Sequence, residues 1–467
     1  MVVTVGAYFH TENYFPARHA SIAVCFQRQG YAMKRWLVIL LVFLAVLILV
    51  SPGIVGHLAE RNIEDNIEWA EQDSPGVNIE TESFQRGWFT SEGRYRVVLE
   101  GGRFREVTEH YQKATGNAEL PSLIIDTTLQ HGPLPGGALS PGLATSVSTF
   151  QIDPGNGVPF DIPGALDSKV SLSGTTSSKL LLEPGTFEHD SARFDWQGTD
   201  LDIVSNPATG SVSVDGEIKP LKITDDDSLI DLGAITLAAK QSRTDYGFNV
   251  GTVNMQVGRI ALQDSTTQFS IEQVSINAES ALDQERLNAH TLFVLNSVTV
   301  PAIGNVDFTM DVALEGLDAN SVKTIRDSLE DAQQSDDPEA ALANVYSETE
   351  EEIKQLFRQG FSVNMNKLDM ALPQGVIATK FDVNVPGSDA DAAFDWSSVM
   401  LRMTANVDIR VPGAIYEMAS MMNAQAGALV SMGILKQDGD DYVMNAEYAQ
   451  GLINVNGVPM PIPIPGM

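Results

Sequence analysis

The sequence predicts a mainly β protein with α-helical inserts (α+β), built of elongated, curved antiparallel sheets. It also predicts two helical segments in the C-terminal half and one N-terminal transmembrane helix. Three observations carry this fold class. Short runs after residue 76 alternate apolar with polar residues, which is typical of antiparallel strands with one buried face and one wet face. Apolar residues recur every three or four positions in two later stretches. A single long apolar run lies near the amino end.

The apolar run is Trp36–Val55, which follows Met33-Lys34-Arg35. Its twenty residues match the ~20 that a helix needs to cross ~30 Å of hydrocarbon. A cleaved secretory signal is the alternative. We favour an uncleaved anchor over residues 33–56, because the apolar core exceeds the usual ~7–15 residues of a signal and no clean small-x-small cleavage site follows Val50.

The charges on either side of this run predict its orientation. Bases precede it and acids follow it: Arg18, Arg28, Lys34 and Arg35, then Glu60, Glu64, Asp65, Glu68, Glu71 and Asp73. Basic flanks stay on the cytoplasmic side. We therefore expect a single-pass inner-membrane protein with a cytoplasmic amino terminus and a periplasmic body. Residues 1–32 are interpreted as an over-called start or a short cytoplasmic tail.

The exported chain divides by pattern. We expect a β-rich periplasmic region over 57–289, a strand–helix–strand region over 290–460 whose repeated order suggests a duplication, and a Pro-rich tail over 461–467. Strands are predicted at Val77–Phe84, Gly93–Glu100, Leu123–Gln130, Leu180–Glu183, Val212–Ile218, Ile235–Lys240, Phe248–Val257, Phe269–Ala278, Thr291–Val300, Val306–Leu314, Phe361–Met370, Met403–Val411, Tyr442–Ala449 and Leu452–Asn454.

Two helices interrupt the strands. The first lies in Asp318–Gly360 and is broken at Asp336-Asp337-Pro338, where Asp337 can cap the second half. The second runs from Pro412 to about Leu435. The four prolines of Val458–Pro465 predict an extended, polyproline-type end.

Charge and cysteine content exclude several classes of function. The chain has 29 Lys and Arg against 61 Asp and Glu, a net charge of −32. Such a surface repels phosphate backbones, so we expect no nucleic-acid partner. Cys25 is the only cysteine and precedes the apolar run. The body therefore has no disulfide and no cysteine nucleophile.

No motif in the sequence fixes a reaction. No two histidines have metal-ligand spacing, and there is no Gly-x-Ser-x-Gly, Walker lysine or dinucleotide glycine fingerprint. Asp225-Asp226-Asp227 and Asp438-Gly439-Asp440-Asp441 could hold calcium but lack EF-hand spacing, so solvated turns are favoured. We predict no catalytic residue, no cofactor and no metal site.

The second helix offers one sharper hypothesis. Methionine side chains are soft and adaptable, and they suit a groove that accepts varied apolar ligands. The candidate groove residues are Ile415, Met418, Met421, Met422 and Leu429. Packing of the same residues against a sheet is the favoured alternative.

Three segments resemble the YdgA/YihF family of bacterial inner-membrane-anchored proteins, which carry a domain of unknown function. They are Ser83–Ser91, Leu129–Pro135 and Tyr448–Gly457. The resemblance implies an envelope location and supplies no catalytic residues. In this sequence the segments have turn chemistry: a strand-to-strand turn, a rigid strand exit and a type I′ hairpin. The residues concerned are Arg86, Gly87, His131, Gly132, Pro133, Gly451, Asn456 and Gly457.

Three functions are compatible with these features. The leading hypothesis is a non-enzymatic envelope protein that binds a lipid or other hydrophobic ligand in a sheet groove, by analogy with AsmA-type proteins. The second is a scaffold that offers sheet edges or a helix to other envelope proteins. The third is an unrecognised hydrolase. In each case the inner membrane is a partner through Trp36–Val55.

Overall fold

A computed structural model describes residues 76–461, apart from short gaps at 88–89, 102–103, 106–107, 110–111, 113–118, 132–143, 156–158, 190–191, 226–227, 264–267, 301–302, 336–337 and 389–393. The expected tail at 1–32, the expected anchor at 33–56 and residues 462–467 lie outside the described part. None of the described helices combines the length and the apolar character that crossing a membrane requires.

Most described residues belong to one large antiparallel sheet of 20 strands. Its strands are β1 (Val77–Arg86), β2 (Thr90–Leu99), β3 (Ser122–His131), β4 (Ala144–Asp153), β5 (Phe160–Val170), β6 (Thr176–Leu182), β9 (Thr199–Asn206), β10 (Ser211–Ile218), β13 (Ile235–Arg243), β14 (Asn249–Val257), β17 (Gln273–Asp283), β18 (Arg286–Val300), β19 (Gly304–Asp318), β20 (Phe361–Leu372), β21 (Gly375–Val385), β22 (Thr404–Pro412), β23 (Lys436–Asp438), β24 (Asp441–Ala449), β25 (Leu452–Val455) and β26 (Val458–Pro461).

The large sheet is a meander. Apart from the short β23, which pairs only with β24, each strand pairs with the next large-sheet strand along the chain. Every pairing is antiparallel, from β1–β2 through β14–β17 to β25–β26. The sheet continues without a break across position 289, because β18 pairs with β17 on one side and β19 on the other. Sequential hairpins bring neighbours in sequence together, which explains how such a long sheet forms without crossovers.

Six shorter strands form a second, small sheet. They are β7 (Gly185–His189), β8 (Ala192–Trp196), β11 (Leu221–Asp225), β12 (Ser228–Leu232), β15 (Ile260–Gln263) and β16 (Gln268–Ile271). Each continues a strand of the large sheet after a two-residue or shorter bend. Pro184 and Pro220 lie in two of these bends, where a missing N–H breaks the ladder and lets the chain change sheets.

The core lies between the two sheets. Val97, Leu123 and Leu182 project from the large sheet, and they are 0%, 1% and 1% exposed. Ile223 and Trp196 project from the small sheet, at 0% and 8% exposed. These residues belong to one buried cluster, so the small sheet acts as a second layer over strands β1 to β13 of the large one.

The predicted fold class was wrong in its helices. The described residues contain six helices instead of the two predicted helical segments, and none of the six is a transmembrane helix. Their bounds are α1 (Ala319–Gln334), α2 (Pro338–Glu348), α3 (Glu350–Gln359), α4 (Trp396–Arg402), α5 (Gly413–Met422) and α6 (Ala424–Ser431).

Local chemistry explains the extra helix boundaries. Buried Thr349 separates α2 from α3, because its backbone departs from helical geometry at φ −108° and ψ 20°. Its hydroxyl donates at 2.8 Å to the carbonyl of Val345, which also accepts from the N–H of Thr349. Asn423 is extended, with φ −143° and ψ 114°, and its side chain caps α6. Helix α4 has seven residues, too few for an apolar period, although Asp395 caps it by accepting from two backbone N–H groups.

The C-terminal end also differs from the prediction. The segment predicted as a polyproline-type end begins as strand β26, which pairs with β25. Short strands such as β7, β11 and β15 escaped the sequence analysis, because three or four inward positions give too little alternation to stand out from a loop.

Candidate functional site: an open apolar face

Beyond the small sheet, the large sheet presents an unlayered apolar surface. Directly paired residues in an antiparallel sheet lie on the same face, so the strand register fixes which side chains lie together. We call the apolar side of β13, β14, β17–β22 and β24 the open face. A representative row across it is Leu237, Met255, Ile276, Phe293, Met310, Leu368, Thr379, Ile409 and Met444.

The neighbouring rows have the same character. One contains Ile235, Val257, Val274, Leu295, Phe308, Met370 and Ile377; the other contains Ala239, Val253, Ala278, Thr291, Val312, Met365, Phe381, Val407 and Ala446. At ~4.8 Å between strands, nine strands span about 40 Å. Arg243 at the rim is the single charged side chain on this face among the described residues.

Among the described residues, no second sheet covers the open face, although α1 runs from the end of β19 to Ser335, whose carbonyl accepts from Arg105 Nη1 at 3.5 Å. Its large apolar side chains on β13–β22 are half-buried or exposed, and in the described residues only Val385 among them is buried, at 2% exposed. Met370 is 40% exposed. Side chains of this size in a two-layer sheet are normally excluded from water, as they are between β1 and β10. The face is therefore apolar surface that the described chain leaves accessible.

Helices close the face at its C-terminal end. The ring of Phe357 on α3 contacts Phe361 at a centroid distance of 5.3 Å and Trp396 on α4 at 5.1 Å. Tyr448 lies on the open face of β24 and is 8% exposed, and its hydroxyl donates to the carbonyl of Met400 at 2.8 Å. Burial raises the pKa of Tyr448. The face is thus bounded by the small sheet on one side and by helices on the other.

The opposite side of the same strands is polar. His290 lies beside Asp311, with 2.8 Å between Nε2 and Oδ1, and Asn366 donates to the same carboxylate at 3.1 Å. These hydrogen bonds, from Asn366 and then from His290, hold the pKa of Asp311 below its usual 3.8. Such outward polar groups keep that face in water and leave the open face for another use.

Methionines are concentrated on the open face. Met255, Met310, Met365, Met370 and Met444 all lie there, on four different strands. Methionine is flexible and polarisable, so it packs against apolar partners of varied shape. Sequence reasoning missed these residues and selected helix methionines instead. The period-two alternation within each strand was the available signal. Only the register between strands shows that these methionines lie on the same face.

A shallow depression on the polar side of β4, β5, β6 and β9 is the other concave surface of note. Lys179 lies in its lining, and its ammonium contacts Asp200 Oδ1 at 2.7 Å and Asp202 Oδ1 at 3.5 Å. Hydrogen bonding to Asp200 raises the pKa of Lys179. Because carboxylates neutralise this lysine, the depression is a poor anion site. In the part of the chain that the structure describes, no cluster of ligating side chains could hold a metal ion.

A family model described as a bacterial protein of unknown function (DUF945) matches residues 33–463. The chain belongs to this family. Protein YdgA of Escherichia coli (strain K12) is 22% identical to it over 288 residues, which are 55% of this chain and 56% of that protein. The comparison thus spans about half the length of the relative. No solved structure matches the chain. The resemblance found in the sequence is confirmed, and the DUF945 family brings no established activity.

The described parts of the family-like segments lie at strand ends and in turns. Arg86 ends β1, and the N–H of Gly87 donates to the carbonyl of Thr90 at 2.8 Å. His131 ends β3, while Gly132 and Pro133 lie outside the described residues. Gly451, with φ 76°, turns β24 into β25.

Asn456 and Gly457 form the two-residue turn between β25 and β26. Their φ values are 51° and 85°, as a type I′ turn requires. The Asn456 side chain does more than turn the chain. Its Nδ2 donates to the carbonyls of Gly433 and Ile434 at 3.0 and 2.9 Å, which ties this hairpin to the end of the α5–α6 segment.

The predicted groove residues of the second helix are divided between two environments. Ile415 is buried at 6% exposed, and Leu429 is half-buried. Met418 is 40% exposed, and Met421 and Met422 are each 83% exposed. These methionines therefore lie on the outside of a helical hairpin rather than in a core or a groove.

Proposed function

We propose that this protein binds the acyl chains of a lipid, or a similar hydrophobic ligand, on the open face. The role is one of binding without catalysis. We further propose that the apolar segment Trp36–Val55 attaches the chain to the inner membrane and that the sheet lies in the periplasm. The observation that carries the proposal is a continuous, half-buried apolar surface that no second sheet covers in the described residues.

The size of the surface supports a ligand rather than chance exposure. Soluble proteins rarely expose contiguous apolar patches beyond a few hundred Å², and larger ones mark binding sites. A face about 40 Å long exceeds the ~15 Å thickness of one hydrocarbon leaflet, so at least one extended acyl chain can lie along it.

The chemistry of the surface favours acyl chains. Phe293 and Phe308 contact each other edge-on at a centroid distance of 6.1 Å, and methionines flank them. Aromatic edges and thioethers offer dispersion contacts but no partner for a charged headgroup. We therefore place the headgroup of a bound lipid at the rim, in water, with its chains on the open face.

The attachment to the membrane is supported by the sequence alone. Twenty apolar residues follow Lys34 and Arg35, and an acidic segment follows them. That asymmetry matches the positive-inside rule, and a periplasmic sheet would then lie next to a source of lipid.

Two adjacent residues with opposite orientation provide the test. Phe293 lies on the open face, whereas Leu292 lies on the polar face beside Asn277. A photo-crosslinking phenylalanine analogue is placed at either position in the full chain and irradiated in intact cells. We expect a lipid-mass adduct at position 293 and none at position 292, read by mass spectrometry of the purified chain.

A second variant tests the face without a crosslinker. Replacing Met255, Met310 and Met370 with the nearly isosteric glutamine should reduce lipid recovery, while the leucine triple variant retains it. Equal adducts at positions 292 and 293, or none at 293, would overturn the lipid proposal. A protein adduct at 293 would favour the scaffold role, and hydrolysis of ester or phosphoester substrates would restore the enzyme hypothesis.

A further inference from the structure

The α5–α6 hairpin is a second exposed apolar feature, distinct from the open face. Between Arg410 and Lys436 the chain has a single charged residue, Glu417, although 19% of the whole chain is charged. Within this stretch Met421 and Met422 are each 83% exposed and Met432 is 61% exposed. In a protein of net charge −32, a segment with one charged residue and several exposed methionines is unusual.

The hairpin is held rigidly to the sheet. The Tyr416 ring lies 3.9 Å, centroid to centroid, from the ring of Tyr442, and its hydroxyl donates to the carbonyl of Gly427 at 3.2 Å. The first contact fixes α5 to β24, and the second fixes α5 to α6. Ile415 and Leu435 are buried beneath, at 6% and 8% exposed. The exposed methionines therefore lie on a hairpin whose inner side is packed against the sheet.

The position of the hairpin relates it to the open face. Tyr442 pairs with Val411, one row beyond Ile409 and Met444, so its ring lies where the open face ends. Apolar side chains thus run from the sheet through the Tyr416–Tyr442 pair to the exposed methionines. A ligand leaving the face at this rim would meet the hairpin first.

We propose that the α5–α6 hairpin inserts its methionine tip into the surface of a lipid bilayer. The charge distribution favours a lipid bilayer as the partner of the hairpin. Anionic headgroups repel the rest of the acidic body, whereas the hairpin has almost no charge to desolvate. Size argues against a second copy, because a few methionine side chains fall well short of the ~800 Å² that each partner buries in a specific interface. The contact depends on apolar burial, and salt screens the repulsion between the acidic body and anionic headgroups, so added salt should not weaken it.

The hairpin is the part of the body that would touch a membrane. This proposal rests on the proposed function in one respect only: lipid binding on the open face gives the reason for lipid to pass the hairpin. A full chain with Cys25 replaced by serine and Met421→Cys provides a site for an environment-sensitive fluorophore. The matched control is Leu172→Cys, because Leu172 is also an exposed apolar residue, at 64%, but lies in the loop between β5 and β6. Both proteins are reconstituted in vesicles of phosphatidylethanolamine and phosphatidylglycerol with brominated acyl chains.

We expect bromine to quench the fluorophore at position 421 several-fold more strongly than at 172. Met422→Glu with Met432→Glu should abolish that difference, whereas the leucine pair preserves it. Equal quenching at both positions, no quenching at 421, or a fluorophore shift that depends on protein concentration without vesicles would overturn the proposal. The photo-crosslinking result at Phe293 is independent of this readout, so the two proposals can fail separately.

Discussion

The contrast between the layered and unlayered parts of the large sheet makes a quantitative prediction. Ile223 is 0% exposed between the two sheets, and Met370 on the open face is 40% exposed. Ile223→Ala should lower the free energy of unfolding by about 2–5 kcal/mol, because it removes buried methylene groups and leaves a cavity. Met370→Ala should cost about 1 kcal/mol, because part of the side chain is already in water and no enclosed cavity forms.

Urea unfolding of the purified protein, followed by tryptophan fluorescence and by hydrogen exchange of the peptides from β11 and β20, measures both costs. Thr224→Ala serves as a control on the same strand as Ile223, since Thr224 is exposed and its loss should change stability by less than about 0.5 kcal/mol. If Met370→Ala proves as costly as Ile223→Ala, the open face is covered in solution, and the reasoning from its exposure is refuted.

Four further changes test single interactions. Asp318→Ala should cost about 1–2 kcal/mol and speed exchange in the first turn of α1, because Asp318 accepts from the N–H of Ser321 at 2.9 Å. Gly251→Ala should cost more than about 2 kcal/mol, because φ is 143° and a Cβ would collide with a neighbouring carbonyl. Asn456→Ala should speed exchange of residues 432–435 by releasing two carbonyls. Asp311→Asn should reduce the loss of unfolding free energy that accompanies acidification.

The sign of the last effect follows from linkage. The folded pKa of Asp311 lies below its usual 3.8, so its contribution to stability is present above that pH and is lost as pH falls through the folded value. A carboxamide at this position cannot titrate, and the variant should therefore lose less stability than the parent on acidification in that window. A parallel loss in both proteins would exclude Asp311 as the source.

The sequence predicted strands well where alternation was long. Runs such as Gly93–Glu100 and Tyr442–Ala449 correspond closely to β2 and β24, because each has several inward positions in register. Helix boundaries were less predictable. Thr349 and Asn423 interrupt helices through non-helical backbone dihedral angles, accompanied by local side-chain hydrogen bonds, and neither disturbs the apolar spacing from which the helices were predicted.

The open face was beyond single-sequence reasoning for a physical reason. The alternation of apolar and polar residues shows that one side of each strand is apolar, but it does not show whether a second layer covers that side. Coverage depends on the bends at Pro184, Pro220 and their counterparts, which divert only the hairpins between β6 and β17 into the small sheet. Strands β18 to β24 are equally alternating and receive no such layer. Identical local patterns therefore have different environments.

This asymmetry also explains how the protein can tolerate an apolar surface. Long flat sheets associate through edges and faces unless something prevents it. Here the polar side of the same strands carries charge pairs such as Arg410–Asp441, and the chain as a whole carries a charge of −32, so two copies approaching face to face repel one another. A neutral ligand escapes that repulsion. Bound at 100 times its dissociation constant it would add about 2.7 kcal/mol to the stability of the folded chain. Charge thus disfavours association of two copies through the open face and does not oppose binding of the neutral acyl chain that we propose.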